Sequence, residues 1–82
     1  MARLKDLDRA CRERGLRYRW RTWQADGVWH AEVQAGYADA DWRPTGAFPR
    51  WGGTGSTEAE AMRSPIDAAF DHWAGRQAPM PR

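Results

Sequence analysis

The sequence predicts a small α+β domain with the order α-β-β-(β)-α, in which two helices pack on one face of an antiparallel sheet. Three observations predict it: a one-sided apolar stripe near the N-terminus, two alternating segments joined by Asp26-Gly27, and a longer apolar stripe that follows a run of glycines. The 82 residues suffice for one domain. We place that domain at residues 1–75 and a flexible C-terminal tail at residues 76–82.

The first helix is predicted at residues 3–14. Leu4, Leu7 and Cys11 recur at helical spacing, and Gly15 supplies the left-handed residue that commonly ends a helix. The single cysteine excludes an internal disulfide. Because Cys11 lies on the apolar stripe, we expect a buried and unreactive thiol rather than a nucleophile.

A β-hairpin is predicted at residues 16–36, because Asp-Gly between two alternating segments favours a two-residue turn. That turn fixes the register and places Arg21 opposite Glu32 and Trp23 opposite His30. The apolar side chains then share one face of the hairpin. The other face carries three arginines at alternate positions, here named the arginine row: Arg17, Arg19 and Arg21.

The remaining elements are a third strand at residues 47–51, which Pro49 confines to a sheet edge, and a second helix that ends at Gly75. This helix opens with capping-box spacing at Thr57 and Glu60, and Pro65 predicts a kink or a break within it. Its apolar stripe consists of Met62, Ile66, Phe70 and Trp73. We expect one core to be shared by Trp20, Val33, Ile66 and Phe70.

No spacing of residues points to catalysis, to a cofactor or to a metal, so we expect none of them. His30, His72 and Cys11 lack metal-binding spacing. The glycine-rich segment 52–57 lacks the lysine of a phosphate-binding loop, although backbone N–H groups at the following helix are a candidate anion site. No apolar run approaches the ~18 residues that a membrane span needs, so we expect a cytoplasmic protein without a membrane partner.

The charge is divided unevenly along the chain. Residues 1–21 hold eight basic and three acidic side chains, a balance of +5, whereas residues 22–82 hold five basic and eight acidic ones, a balance of −3. Arginine outnumbers lysine twelve to one. This ratio favours planar recognition of carboxylate or phosphate, but a GC-rich coding bias produces it equally well. The arginine face is therefore either merely solvated or a docking surface for an acidic partner. The predicted partner-binding residues are Arg17, Arg19, Arg21, Trp23, His30, Trp42 and Arg43.

The order of elements resembles that of the double-stranded-RNA-binding domain. The segment from Gly27 to His30 is similar to the glycine-to-histidine turn of that family, and Gly53 lies near the start of its last helix. The resemblance covers most of residues 3–74 and implies direct binding of nucleic acid. This chain has Glu58 and Glu60 where the RNA-binding members have lysines, and these carboxylates would repel phosphate.

The chain also resembles in type the small phage-encoded proteins that include anti-CRISPR proteins. These are often single αβ domains of this length without catalytic residues, rich in tryptophan and arginine. The resemblance implies a protein of the bacterial host cytoplasm that binds a subunit of a CRISPR–Cas or other nucleic-acid-handling complex and blocks access to nucleic acid. Three classes stay open: an inhibitor that docks on an acidic protein patch, a direct nucleic-acid-binding module, and a homodimeric accessory protein.

Overall fold

The computed structural model describes residues 2–75 and confirms the predicted α+β class. Two helices pack on one face of a three-stranded antiparallel sheet with the strand order β1-β2-β3. The tail predicted at residues 76–82 lies outside the described residues. The elements are α1 (Leu4–Arg14), β1 (Arg17–Ala25), β2 (Val28–Gly36), β3 (Arg50–Gly55) and α2 (Glu58–Phe70), followed by a π-helical turn (Asp71–Gly75).

Local backbone geometry produces α1 and the hairpin as the sequence predicts. Gly15 is left-handed with φ of 69°, and the Leu16 N–H donates to the Cys11 carbonyl at 2.8 Å, which closes the last turn of α1. Asp26 and Gly27 have φ values of 53° and 75°, as a two-residue hairpin turn requires. The predicted strand register is therefore confirmed.

The third strand runs from Arg50 to Gly55, so the bounds predicted for it, 47–51, are wrong. The glycines indicate a loop in the sequence, but here they let α2 approach the sheet. A Cβ on Gly53 would lie 2.5 Å from the Ala61 carbonyl oxygen and 2.6 Å from Pro65 Cδ. Most of the segment 52–57 is strand, and at the start of α2, the candidate anion site, the N–H groups of Ser56 and Glu60 donate to side chains of Glu60 and Thr57.

Helix α2 is continuous from Glu58 to Phe70, so of the kink or break predicted at Pro65 the break is wrong and the kink stays a prediction. Proline cannot donate to the Ala61 carbonyl, and that carbonyl instead lies against Gly53 of β3. The α-helix ends at Phe70 rather than at Gly75, with the π-helical turn between them. The Thr57 hydroxyl accepts from the Glu60 N–H at 3.1 Å, which confirms the predicted N-cap.

The core differs from the prediction at Trp20 and Phe70. Trp20 is 45% exposed because it lies on the edge strand β1, whereas α2 lies mainly over β2 and β3. Phe70 is only half-buried, because α2 turns its small residues toward the glycines of β3. The buried cluster consists of Leu7, Cys11, Leu16, Ala31, Val33, Ala35, Ala61, Met62, Ile66, Ala69 and Trp73.

Candidate functional site

The candidate site is the open face of the sheet, defined as the face opposite the two helices. Strand alternation places side chains from all three strands there. Its four arginines and one glutamate give a formal charge of +3. The residues of the open face are Arg17, Arg19, Arg21, Trp23 and Ala25 of β1, Val28, His30, Glu32 and Gln34 of β2, and Arg50, Gly52 and Thr54 of β3.

Glu32 lies at the centre of the open face and pairs with an arginine from each outer strand. Its carboxylate oxygens are 3.1 Å from Arg21 Nε and 3.5 Å from Arg50 Nη1. The two arginine side chains remain 68% and 60% exposed. Exposed ion pairs of this kind stabilise a fold by only ~0–1 kcal/mol. Their main consequence is that Glu32 fixes the direction of two guanidinium groups.

Arg19 is oriented by an amide and by aromatic rings. Its Nε donates to Gln34 Oε1 at 3.0 Å, and Gln34 Nε2 donates to the Phe48 carbonyl at 3.2 Å. The guanidinium carbon lies 5.3 Å from the Trp42 ring centroid and 5.6 Å from that of Phe48. Arg17 lies 5.3 Å from the same Trp42 ring. Cation–π contacts thus hold both side chains at one end of the open face.

The loop after β2 holds Trp42 in an unusual backbone conformation. Its φ is +64°, which is an outlier for a bulky side chain. The Asp39 carboxylate supports the turn by accepting from the N–H groups of Asp41 at 2.9 Å and Arg43 at 3.0 Å. The Trp42 ring stacks on Phe48 with centroids 6.3 Å apart. Such strain collects at functional positions, and here it places a ring against the arginine row.

A second aromatic pair lies at the other end of the open face, beside the hairpin turn. The rings of Trp23 and His30 are stacked with centroids 5.4 Å apart and planes inclined by 7°. The Arg21 guanidinium carbon lies 4.9 Å from the Trp23 ring centroid. Trp23 is nevertheless 40% exposed, so part of its surface remains for a partner.

Together these contacts preorganise the open face for planar anions. Arg19 and Arg21 are each held through Nε, which leaves their terminal nitrogens for bidentate bonds to a carboxylate or a phosphate. Between them lies a shallow cavity of about 360 Å³. It is lined by Arg19, Trp20, Arg21, Glu32, Gln34 and Arg50.

The predicted site residues are largely brought together. Five of them share the open face, and Trp42 borders it through its contacts with Arg17 and Arg19. Arg43 is exposed in the loop, where the Asp39 carboxylate holds its backbone, and its part in binding stays a prediction. The prediction missed Arg50 and Phe48. Arg50 could have been found from the sequence, because it alternates with Gly52 and Thr54 as residues on one face of a strand do.

Three groups with shifted pKa values lie on the helix side of the sheet. Burial raises the pKa of the Cys11 thiol to about 11. Burial, and then the hydrogen bond that its hydroxyl donates to Asp8 at 2.9 Å, raise the pKa of Tyr18. Hydrogen bonds from the backbone and side chain of Ser56 lower the pKa of Glu60. These groups support the fold rather than the open face.

Comparison with protein-family models, curated proteins and solved structures finds no match for this chain. Within residues 2–75, no group of three or more His, Cys, Asp or Glu side chains is placed to hold a metal ion. No helix in that range is long and apolar enough to cross a membrane. The functional interpretation therefore rests on the chemistry of the open face.

Proposed function

We propose that the protein is a non-enzymatic binding protein whose open face docks on an acidic surface of another protein. The observation that carries the proposal is the arginine row, in which Arg19 and Arg21 are exposed and Arg17 is half-buried. Aromatic rings, Gln34 and Glu32 hold these side chains in place. Guanidinium groups fixed in this way lose little side-chain entropy when they meet carboxylates. In the more specific form of the proposal, the protein is a phage inhibitor of the anti-CRISPR type that blocks a nucleic-acid-handling complex.

Three features favour a protein partner over nucleic acid. The rings of Trp23 and Trp42 already contact His30, Phe48 and arginine side chains, which restricts the stacking of bases on them. Glu32 places a negative charge in the middle of the basic surface. Arginine beside tryptophan is also the typical composition of protein interface hot spots.

Direct binding of nucleic acid is the second candidate, and the order helix-strand-strand-strand-helix favours it. A module of the double-stranded-RNA-binding type would use the start of α2 to hold phosphates. In this chain Glu58 and Glu60 lie there, and Glu60 is bonded to the Ser56 N–H at 2.8 Å. The arginine row would then have to supply the phosphate contacts.

The proposal is tested by capture of partners from a nuclease-treated bacterial lysate on the immobilised protein. Three forms are compared: the wild type, the triple variant R17A/R19A/R21A, and a control triple variant K5A/R9A/R12A that removes the same charge from exposed positions of α1. We expect to find a protein that both the wild type and the control variant retain. The amount of this protein retained by R17A/R19A/R21A should be lower by about tenfold or more. Retention that disappears after nuclease treatment, or that is equal for both triple variants, would contradict the proposal.

The inhibitor role is tested separately by phage plating. A bacterium whose CRISPR–Cas system targets a phage should allow plaques when it expresses the wild type, and should block them when it expresses R17A/R19A/R21A. If a protein partner is captured but plating is unchanged, docking stands and the anti-CRISPR role is wrong.

A further inference from the structure

We infer that the outer edge of β1, with the apolar groove behind it, binds an extended peptide segment in which acidic and apolar residues alternate. The segment would add a fourth strand to the sheet, a common mode of peptide recognition. This inference rests on the proposed function, because it uses the same arginine row and specifies the form of the acidic partner.

The backbone of β1 pairs with β2 alone within residues 2–75. In a hairpin with a two-residue turn, the residues that flank the turn form a hydrogen-bonded pair, and such pairs recur at every second position. Arg19, Arg21 and Trp23 therefore direct their backbone groups toward β2. The N–H and C=O groups of Trp20 and Thr22 point to the outer edge, where a new strand could bond to them.

A groove with a volume of about 450 Å³ lies on the helix side of this edge. Trp20 forms one wall and is 45% exposed, and the Thr22 hydroxyl donates to the Glu58 carboxylate, which joins β1 to the start of α2. The apolar lining consists of Ala2, Leu4, Trp20, Ala59, Met62 and Ile66.

A strand added at this edge would meet both the groove and the arginine row. Successive side chains of an added strand point to opposite faces of the sheet. Those on the helix side would enter the apolar groove, and those on the other side would lie beside Arg19 and Arg21. Opposite charges on neighbouring strands attract. The two surfaces together therefore select a partner strand that alternates acidic and apolar residues.

A second copy of this chain fits the edge less well. Antiparallel pairing of β1 with another β1 would bring the two arginine rows together, and like charges on adjacent strands repel. Arginines on an exposed edge also oppose edge-to-edge association in general. Charge complementarity thus favours a partner whose own strand is acidic.

The inference is tested with the full protein and a short capped peptide in which glutamate and valine alternate. A control peptide has the same composition with all glutamates before all valines. Dissociation constants come from titration calorimetry. We expect the alternating peptide to bind at least about tenfold more tightly than the block peptide. N-methylation of the peptide at alternate residues provides a second test. It should abolish binding when it blocks the amides that face β1, and it should leave binding nearly intact when it blocks the other set of amides.

Two single variants locate the groove. W20E places a charge in it, whereas A40E adds the same charge at Ala40, which is exposed in the loop after β2 and does not line the groove. We expect W20E alone to weaken the binding of the alternating peptide by about tenfold or more. The circular dichroism spectra of both variants should match that of the wild type.

Several outcomes would overturn the inference. These are equal binding of the alternating and block peptides, equal effects of N-methylation at the two sets of amides, and equal effects of W20E and A40E. A dimer in sedimentation that W20E dissociates would instead assign the edge to a second copy. If capture of a protein partner still depends on the arginine row, only the inference fails. If that capture is also insensitive to the arginine row, the proposed function fails with it.

Discussion

Gly53 shows how a residue without a side chain sets the distance between two layers of this fold. Its Cα faces α2 at the position where Pro65 leaves the Ala61 carbonyl without its helical donor. Gly52, the preceding residue of β3, faces the open side of the sheet, and a Cβ there would meet only the Ala31 carbonyl oxygen at 3.6 Å. The two glycines therefore provide a matched pair of substitutions.

We predict that Gly53→Ala destabilises the protein by ~1–3 kcal/mol, because the new methyl group would push α2 away from β3. Gly52→Ala should change the free energy of unfolding by less than ~1 kcal/mol, since the contact is ordinary and alanine restricts the unfolded chain. Urea denaturation of both variants measures the difference. Equal stabilities would show that α2 does not press on β3 at Gly53.

We predict that Cys11 resists alkylation in the folded protein. Burial raises the pKa of its thiol to about 11, so little thiolate is present at neutral or mildly alkaline pH. The Cys11 thiol stabilises the folded state at pH values below the pKa that it has in the unfolded chain. This stabilisation is lost as the pH rises through the higher pKa of the folded protein. Mass spectrometry after iodoacetamide treatment should show slow labelling without urea and fast labelling in urea. Fast labelling of the folded protein would contradict the buried position.

At the scale of elements, α1 and the hairpin could be predicted because their determinants are local. Gly15 ends α1 and Asp26-Gly27 closes the hairpin through the conformations of those residues alone. The bounds of β3 could not be predicted in the same way, since its glycines indicate a loop until the position of α2 against them is known. The rotation of α2 depends on the same packing, and it moves Phe70 out of the core.

We predict that the N-terminal cap of α2 makes stability depend on acid pH. Hydrogen bonds from Ser56 lower the pKa of Glu60 below its unfolded value. The ionised carboxylate therefore stabilises the fold above the unfolded pKa of about 4.3, and this contribution is lost as the pH falls through the lower folded pKa. In thermal melts, the melting temperature of the Glu60→Gln variant should lie below that of the wild type at neutral pH and should equal it in acid. A difference independent of pH would contradict the role of the charge.

At the scale of the whole molecule, both helices lie on one face of the sheet, and no helix among residues 2–75 covers the other face. The basic residues of the N-terminal third are then divided between α1 and the arginine row of β1. Most of the predicted site residues lie together because strand alternation is fixed by the hairpin turn. Arg50 joins them only through the register of β3 with β2, which places it opposite Gln34. That pairing is a tertiary property that the hairpin does not determine.

We predict that R17A/R19A/R21A folds normally. Exposed substitutions usually change stability by ~0.5 kcal/mol or less each, and Arg19 and Arg21 are exposed. Arg17 is half-buried, and its side chain contacts the ring of Trp42. The melting temperature of this variant should therefore lie near that of K5A/R9A/R12A, so that weaker binding reports on the open face and not on unfolding. A strongly lowered melting temperature of the open-face variant alone would show that the arginine row is part of the stabilising structure.

The proposal that the open face binds protein carboxylates rather than phosphate is tested most directly by the affinity of the wild type for labelled duplex DNA and duplex RNA. At ~0.15 M salt, we predict micromolar or absent binding by fluorescence anisotropy. Nanomolar binding would contradict a protein target. It would also show a steep salt dependence, with a slope of roughly −2.7 for three arginine–phosphate contacts on DNA.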